Sequence, residues 1–564
     1  MSAPPAAREL QGLPAVRVAR ASSPLVRDYL AGATALAPFY SGHPHDPAAY
    51  RRKAAEVDRR LDAAARTRVR DAIRPLSEGA ESRLAHVLAG DGYFVTTGQQ
   101  TGLFTGPIYT VAKALSAIRL AAELESLLGR PVLALFWSAA DDHDWAEVDH
   151  VSVIDAQNHV QRIALPPAPD APPLAMSHRP LPAAIGPALD ELRAALPDTP
   201  YRDALMHRLR QSYRPGRAMA VAFEETLAGV LEGLDIALVS SAHPLVKQHS
   251  APVIARALRE PEAQEQLVER QTRRLTDVGY PAQVGLAPGA SNVFLQTDAG
   301  RDRLVRERAG WLLRRTRQRF EDAELRARLD AEPAAFSPGV LLRPVVESAL
   351  FPTLAYVAGP AETAYFAQLG CLFLGHGILP PVVVPRHVVT VIEPGVARAL
   401  ARQGVTLEEV HRPFEEVVAR LVKEELPTGL SASLAELQRT TAQAFDDVAR
   451  SAGDLDAHLA GPVAAARNRG LGLVRDLERR IERQVRRRQQ TRFEQLRRAA
   501  ANLYPDDAPQ ERVLNLLPYL ARYGPALLRQ MLEGMTLALD QSHPDYGVEC
   551  NRDALAAARN DGIA

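Results

Sequence analysis

Residues 93–137 constrain the fold more than any other stretch of the chain. Tyr93-Phe-Val-Thr-Thr97 has the aromatic and β-branched content of a strand and runs into glycine. A helical pattern follows over about 109–128 and stops at Gly129-Arg130-Pro131. Val132-Leu-Ala-Leu-Phe-Trp137 is then a continuous apolar run, as a parallel strand buried on both faces requires. Strand, helix and strand at this spacing form a right-handed crossover unit and predict a Rossmann-like sheet.

Other strand-like segments lie far away, at residues 234–240, 340–346, 353–357 and 381–385. At 564 residues the chain is also too long for one hydrophobic core. The expected architecture is therefore α/β. Residues 1–395 form a Rossmann-like parallel sheet core with connective insertions at about 160–232 and 250–335. Residues 396–501 form an α-helical coiled-coil arm, and 502–564 a helical segment that packs back on the core. In the arm Leu434, Leu437, Thr441, Ala444 and Val448 step by three and four, as do Val474, Leu477 and Ile481. Gln484, Arg488 and Thr491 then spoil the seam, and a shift through Val485, Gln489, Phe493 and Leu496 restores it, as a stutter would.

Formal net charge is zero, so no global field steers the chain to nucleic acid or an anionic membrane. Residues 475–498 hold ten Arg against four acidic residues, but without a series of interleaved aromatics they read as a solvated coiled-coil face. No run reaches the roughly 18 apolar residues of a spanning helix, and the first ten residues have no apolar leader run. Cys371 and Cys550 are too few for a disulfide framework, and Cys371 reads as a packed core thiol. A reducing cytoplasm is the expected home. Of 67 basic residues only Lys53, Lys113, Lys247 and Lys423 are lysine. A compact ammonium is not interchangeable with a guanidinium, so these positions are candidates for special roles.

Three stretches carry candidate chemistry. Thr97-Gly98-Gln99-Gln100-Thr101-Gly102-Leu103-Phe104-Thr105-Gly106-Pro107 joins a strand to a helix, and its glycines suit a loop whose amides approach an anion. It is neither a dinucleotide fingerprint nor a Walker loop. Lys113, two turns into the helix, could face the same crevice. Directly after the second strand, Asp141-Asp142-His143-Asp144 crowds ionisable groups that would bind a cation, supply a carboxylate–imidazole base or cap a turn. Ser337, Gly339 and Arg343 belong to a third stretch, which continues through Gly359-Pro360 and Glu362. Arg343 inside an apolar run needs a carboxylate or phosphate partner, with Glu347 the internal alternative.

Taken in order, these motifs resemble the bacillithiol cysteine-adding (BshC) family. The match includes Leu25-Val-Arg-Asp-Tyr-Leu-Ala-Gly, Pro38-Phe-Tyr, Thr-Gly-Gln-Gln, and Phe-Trp-x-Ala-x-Asp-Asp-His-Asp. It continues through Phe-Ser-Pro to Leu-Leu-Arg-Pro-Val-Val, Tyr-Val-Ala-Gly-Pro-Ala-Glu and Gln510-Glu511-Arg512-Val-Leu-Asn. The family's usual pattern differs at Ala112 (His), Asp141 (Glu), Gly339 (Asn) and Glu347-Ser348 (Gln-Asp).

The resemblance implies a homodimer through the coiled-coil arm and a ligase that joins cysteine to glucosaminyl-malate. On that basis Lys113, Asp142, His143 and Asp144 are expected to be catalytic. Gly98, Gln99, Gln100, Gly102, Thr105, Gly106, Asp141, Ser337, Arg343, Gly359 and Glu362 are expected to bind substrate. No metal ligands are assigned. The cofactor is left unknown: a nucleotide such as ATP or ADP would be the ordinary activator, but its signatures are not recognised here. Two alternatives remain: a nucleotidyl-transferring or synthetase-like enzyme on the same sheet, and a non-catalytic dimeric scaffold.

Overall fold

A computed structural model describes residues 13–20, 23–167, 171–285, 289–308, 310–539 and 546–550. The leader reading at residues 1–10 and the last stretch of the expected C-terminal segment, 551–564, lie outside the described residues. The chain divides into two units, Met1–Val391 with Glu511–Ala564, and Ile392–Gln510.

The first unit is built on a six-stranded sheet: β1 (Ile73–Pro75), β2 (Tyr93–Gln100), β3 (Val132–Ala139), β4 (Ile236–Ser240), β5 (Thr353–Ala358) and β6 (Val382–Pro385). The spatial order is β6-β5-β2-β3-β4-β1. Five strands are parallel and β1 pairs antiparallel with β4, so the sheet is mixed rather than wholly parallel. A three-residue edge strand ending in proline suits that position. Val95, Ala134 and Phe136 enter one apolar core, while Phe94, Leu133, Leu135 and Trp137 enter another. The period-two alternation places an apolar layer on each face, which explains why β3 reads as an unbroken apolar run.

Four helices position the site: α1 (Ile108–Leu128), α2 (Pro244–Arg259), α3 (Arg343–Leu350) and α4 (Pro360–Gly375). Helix α1 ends where Gly129 takes a left-handed φ of 64°. Residues 340–346, expected as a strand, instead turn into α3. Pro344 sits at the helix start, where its missing N–H costs nothing, and the apolar run is one face of a buried helix. The strand before it is Phe336–Pro338, which belongs to a second sheet.

That second sheet is the main feature of the later insertion. Its five antiparallel strands run in the order Arg319–Phe320, Gly310–Leu313, Gly300–Glu307, Ala290–Thr297, Phe336–Pro338. The earlier insertion holds a hairpin, His150–Ile154 with Val160–Ala164, and three helices. Cys371 of α4 is disulfide-bonded to Cys550, 179 residues along the chain, so the reading of Cys371 as a packed free thiol is corrected.

The second unit is helical. A hairpin of α5 (Thr428–Leu455) and α6 (Ala460–Arg488) is followed by the helix Gln490–Leu503. Where the seam slips register, the helix itself breaks, at Gln489. Gly470 brings the two arms of the hairpin close: an added Cβ would sit 2.7 Å from the Phe445 ring. Among the described residues no helix is long and apolar enough to cross a membrane.

Candidate functional site

In a doubly wound sheet, ligands bind beyond the C-terminal strand ends where the winding reverses. Here β2, β3 and β4 succeed one another in one direction, and the chain then returns to the other side of β2 for β5 and β6. The switch point thus lies between the ends of β2 and β5, at Gly98–Gln100 and Gly359. A cavity of about 500 Å³ opens there.

Of the residues expected to bind or react, Gly98, Gln99, Gln100, Lys113, Asp141, Asp142, His143, Arg343, Gly359 and Glu362 line this cavity. Asp144, Gly102, Thr105, Gly106 and Ser337 do not. Asp144 is exposed at the start of the short helix Trp145–Val148. Gly102, Thr105 and Gly106 lie in a buried loop in which Phe104 and Thr105 both have positive φ (48° and 74°). That backbone is strained for residues with a Cβ, and Asn515 holds it. The Asn515 amide donates to the Phe104 carbonyl at 2.8 Å and to the Gly106 carbonyl at 2.6 Å. The first amide of α1, Ile108 N–H, donates to the Leu514 carbonyl. The loop is therefore sealed by the chain itself rather than open to an anion. Gly98 is glycine for a related reason, since a Cβ there would lie 2.7 Å from the Trp137 carbonyl oxygen in β3.

Lys113 is buried at the cavity floor. Its ammonium donates to the Gly98 carbonyl at 2.6 Å and to Gln99 Oε1 at 3.0 Å, and it pairs with Glu362 Oε2 at 2.6 Å. Burial pushes the Lys113 ammonium down from its ordinary value. Burial would raise the Glu362 carboxyl, but Lys113, Arg343 and the Gly359 amide outweigh it and hold the group low. Glu362 also accepts from Gly359 N–H at 2.6 Å and from the Tyr356 hydroxyl at 2.8 Å, so the N-terminus of α4 is capped by its own carboxylate.

Three of the four lysines follow one pattern. Lys53 reaches Glu56 and the Leu379 carbonyl, Lys113 reaches Glu362 and the Gly98 carbonyl, and Lys247 reaches Asp141 at 2.5 Å and the Phe336 carbonyl at 2.9 Å. Each is a buried ammonium shared by one carboxylate and one backbone carbonyl, a geometry suited to a compact, rotatable donor rather than a planar fork.

Arg343 is similarly engaged. It donates to Glu347 at 3.1 Å, to the Tyr365 hydroxyl at 2.8 Å and to the Tyr356 hydroxyl at 3.2 Å. Burial pushes the Glu347 carboxyl up to about 7. The carboxylate partner of Arg343 is thus internal.

The acidic end of β3 turns on Asp142, which accepts from the His143 amide at 2.7 Å and receives the Gln100 side-chain amide. Gln100 also donates to Glu147 at 2.7 Å. His143 Nδ1 lies 3.1 Å from Arg301 Nη1. A guanidinium can only donate, so Nδ1 accepts and the ring's hydrogen sits on Nε2. Burial and the adjacent Arg301 lower the His143 pKa, while Asp142 and Asp144 oppose them. His143 is accordingly presented as a hydrogen-bond donor at Nε2, with Nδ1 engaged by Arg301.

Residues not singled out from the sequence complete the cavity. Arg301 and Arg303 come from the strand Gly300–Glu307, and Phe294 from its neighbour. Arg301 also donates to Ser337 Oγ at 2.9 Å and to the Pro338 carbonyl at 3.2 Å, so Ser337 sits behind the wall as a support. Arg386 is clamped by Glu511 at 2.6 and 2.7 Å. The available signal for the insertion strands was the Asp298-Ala-Gly300 turn between two runs of alternating character. Among the described residues, no group of three or more His, Cys, Asp or Glu side chains converges as a metal site.

Two family models match this chain. The N-terminal Rossmann-like domain of bacillithiol biosynthesis BshC covers residues 14–387, and the C-terminal coiled-coil domain of BshC covers residues 389–543. Relatives with the name "Putative cysteine ligase BshC" include one from Salinibacter ruber, 32% identical over 80% of this chain and 82% of its own length. Another, from Symbiobacterium thermophilum, is 32% identical over 79% of this chain and 82% of its own length. A third, from Solibacter usitatus, is 31% identical over 89% and 93%.

Proposed function

The chain belongs to the bacillithiol biosynthesis BshC family, and on that premise we propose that it is a ligase joining the carboxyl group of L-cysteine to the amine of glucosaminyl-malate. The observation that carries this reading is the composition of the switch-point cavity. It sets carboxylates suited to an ammonium, Asp142 with Glu147 nearby, in the same site as the Arg303 guanidinium, which suits a carboxylate. A cavity of about 500 Å³ matches small-molecule reactants.

In this reading Asp142 holds the acceptor's amine and takes its proton as the nitrogen attacks the activated cysteine carbonyl. The C–N bond forms, the bond to the leaving oxygen breaks, and His143 Nε2–H donates to the oxygen on which negative charge develops. Lys113, Glu362 and Arg343 fix the floor on which the reactants sit. A nucleotide such as ATP would supply carboxyl activation. The Gly359 amide before α4 is taken by Glu362 and the first amide of α1 by the Leu514 carbonyl, so neither is offered to its phosphates. The protein would act in the cytoplasm, where cysteine is reduced, as a homodimer joined through the helical hairpin.

The test is incubation of the purified protein with cysteine, glucosaminyl-malate and ATP, read by product mass. A product carrying one cysteine per acceptor with loss of one water supports the ligase. ATP–pyrophosphate exchange without that product would support a nucleotidyl-transferring enzyme instead. Absence of both, with no small-molecule affinity, would favour a scaffold.

A further inference from the structure

The ordinary anion-holding devices of this sheet are already engaged. The Lys113 ammonium is neutralised by Glu362, the α4 N-terminus is capped by the same carboxylate, and Arg343 faces Glu347. Arg386 is held by Glu511, and Arg301 donates to Ser337, Pro338 and His143. Arg303 differs from all of these. It lines the same cavity, and among the described residues its guanidinium has no carboxylate partner and no hydrogen-bond acceptor.

Its surroundings are built rather than accidental. Arg303 pairs across the ladder with Phe294, and its guanidinium stacks on that ring, 4.8 Å from the centroid. Arg301, two residues before and so on the same face of the strand, stacks on the same ring at 3.8 Å. Aromatic stacking fixes the plane of a guanidinium and leaves its edge N–H groups to be satisfied from elsewhere. Burial and the nearby Arg314 both disfavour the charge on Arg303. A half-buried, positioned guanidinium beside other cations calls for an oxyanion with paired oxygens. Arg512 also lines the cavity, but it is exposed and no side chain fixes its plane among the described residues.

We infer that Arg303 is a specificity-determining residue that binds a carboxylate of the acceptor substrate, the malyl group in the reading proposed above, on which this inference rests. A nucleotide phosphate shares the oxyanion chemistry. The carboxylate is favoured because Arg303 shares its strand face with Arg301, which touches His143 beside Asp142, the residue that holds the acceptor in the reading above.

The experiment compares wild type, Arg303→Gln and Arg303→Lys with calorimetry against L-malate and steady-state kinetics against cysteine, glucosaminyl-malate and ATP. Arg303→Gln should raise the KM for the acceptor about tenfold or more with kcat retained, and abolish L-malate binding. Arg303→Lys should recover part of the loss, since it restores charge without the fork. Melting curves matching wild type show that the variants are folded. An unchanged acceptor KM, or a KM change confined to ATP, overturns the inference and leaves the ligase reading standing. If wild type forms no product yet binds L-malate, and Arg303→Gln does not, the ligase reading fails while the carboxylate site stands.

Discussion

Lys113 Nζ lies 2.6 Å from Glu362 Oε2, and this contact ties the helix after β2 to the helix after β5 across the switch point of the sheet. Lys113 is buried on the pocket floor and Glu362 is partly exposed to the pocket, with the remaining Lys113 donors on Gly98 and Gln99.

Removing Glu362 leaves the buried Lys113 ammonium without its counter-ion, whereas Glu362 keeps the Gly359 amide and the Tyr356 hydroxyl when Lys113 is removed. Glu362→Ala should destabilise the protein by about 3–5 kcal/mol and Lys113→Ala by less. The double variant should lose clearly less than the sum, because neither charge is then stranded. Urea denaturation of the four proteins measures the coupling. Additive losses would show that the pair does not act as a unit.

Arg301 fixes the His143 tautomer, and pH separates this from a general-base role. The His143 pKa is lowered in the folded protein by burial and by Arg301. The stability this contributes is therefore present above the unfolded value of about 6.5 and lost as pH falls through the lower folded value. His143→Ala should reduce kcat about a hundredfold. Wild-type activity should show no histidine ionisation between about pH 6.5 and 8, whereas Arg301→Gln should bring an acidic limb up towards that range. A wild-type limb in that range that vanishes in His143→Ala would mark His143 as the base and overturn the donor role.

The helical hairpin leaves Leu437, Val448, Leu455, Leu473 and Leu477 exposed within its own unit. A second copy of the chain is the natural cover for such a seam. Val448→Lys with Leu477→Lys should shift the protein from dimer to monomer at micromolar concentration in light scattering, with the cysteine-adding assay retained in part. A monomeric wild type would end this proposal.

The Cys371–Cys550 bond closes a long loop onto α4. Cys550→Ser should lower stability by about 2–4 kcal/mol under non-reducing conditions and leave stability unchanged under strong reductant. Peptide mapping without reductant should recover the linked pair. Two free thiols in protein purified without reductant would show that the bond does not form.

Much of the first unit was legible because its signals are local. The strand at 93–97, the helix to Leu128 and the apolar run from Val132 each announce themselves within a few residues, and the ligand-bearing end of a parallel sheet follows from topology. The Arg343 segment misled because Val345, Val346 and the leucines before them suit a strand and a buried helix equally, and only Pro344 distinguished the two. Arg301 and Arg303 were hidden for another reason. In a charged, alternating strand such as Gly300-Arg-Asp-Arg-Leu-Val, nothing local says that the arginine face meets the end of a different sheet. The lysines are an intermediate case. Their rarity marked the positions, but that Lys53, Lys113 and Lys247 would each meet a carboxylate and a carbonyl depends on residues up to hundreds of positions away.

Asn515 and Glu511, which follow the helical arm in the sequence, finish the crevice: one seals the loop at Phe104–Gly106, the other clamps Arg386. A ribosome makes both residues only after the whole helical arm. At roughly 5–20 residues per second, the interval between Arg386 and Asn515 is on the order of ten seconds. Through that interval the nascent sheet holds a strained loop whose lock has not been synthesised. Arrest of translation within the arm should therefore leave the crevice sensitive to proteases at 103–106, and release of the full chain should protect it.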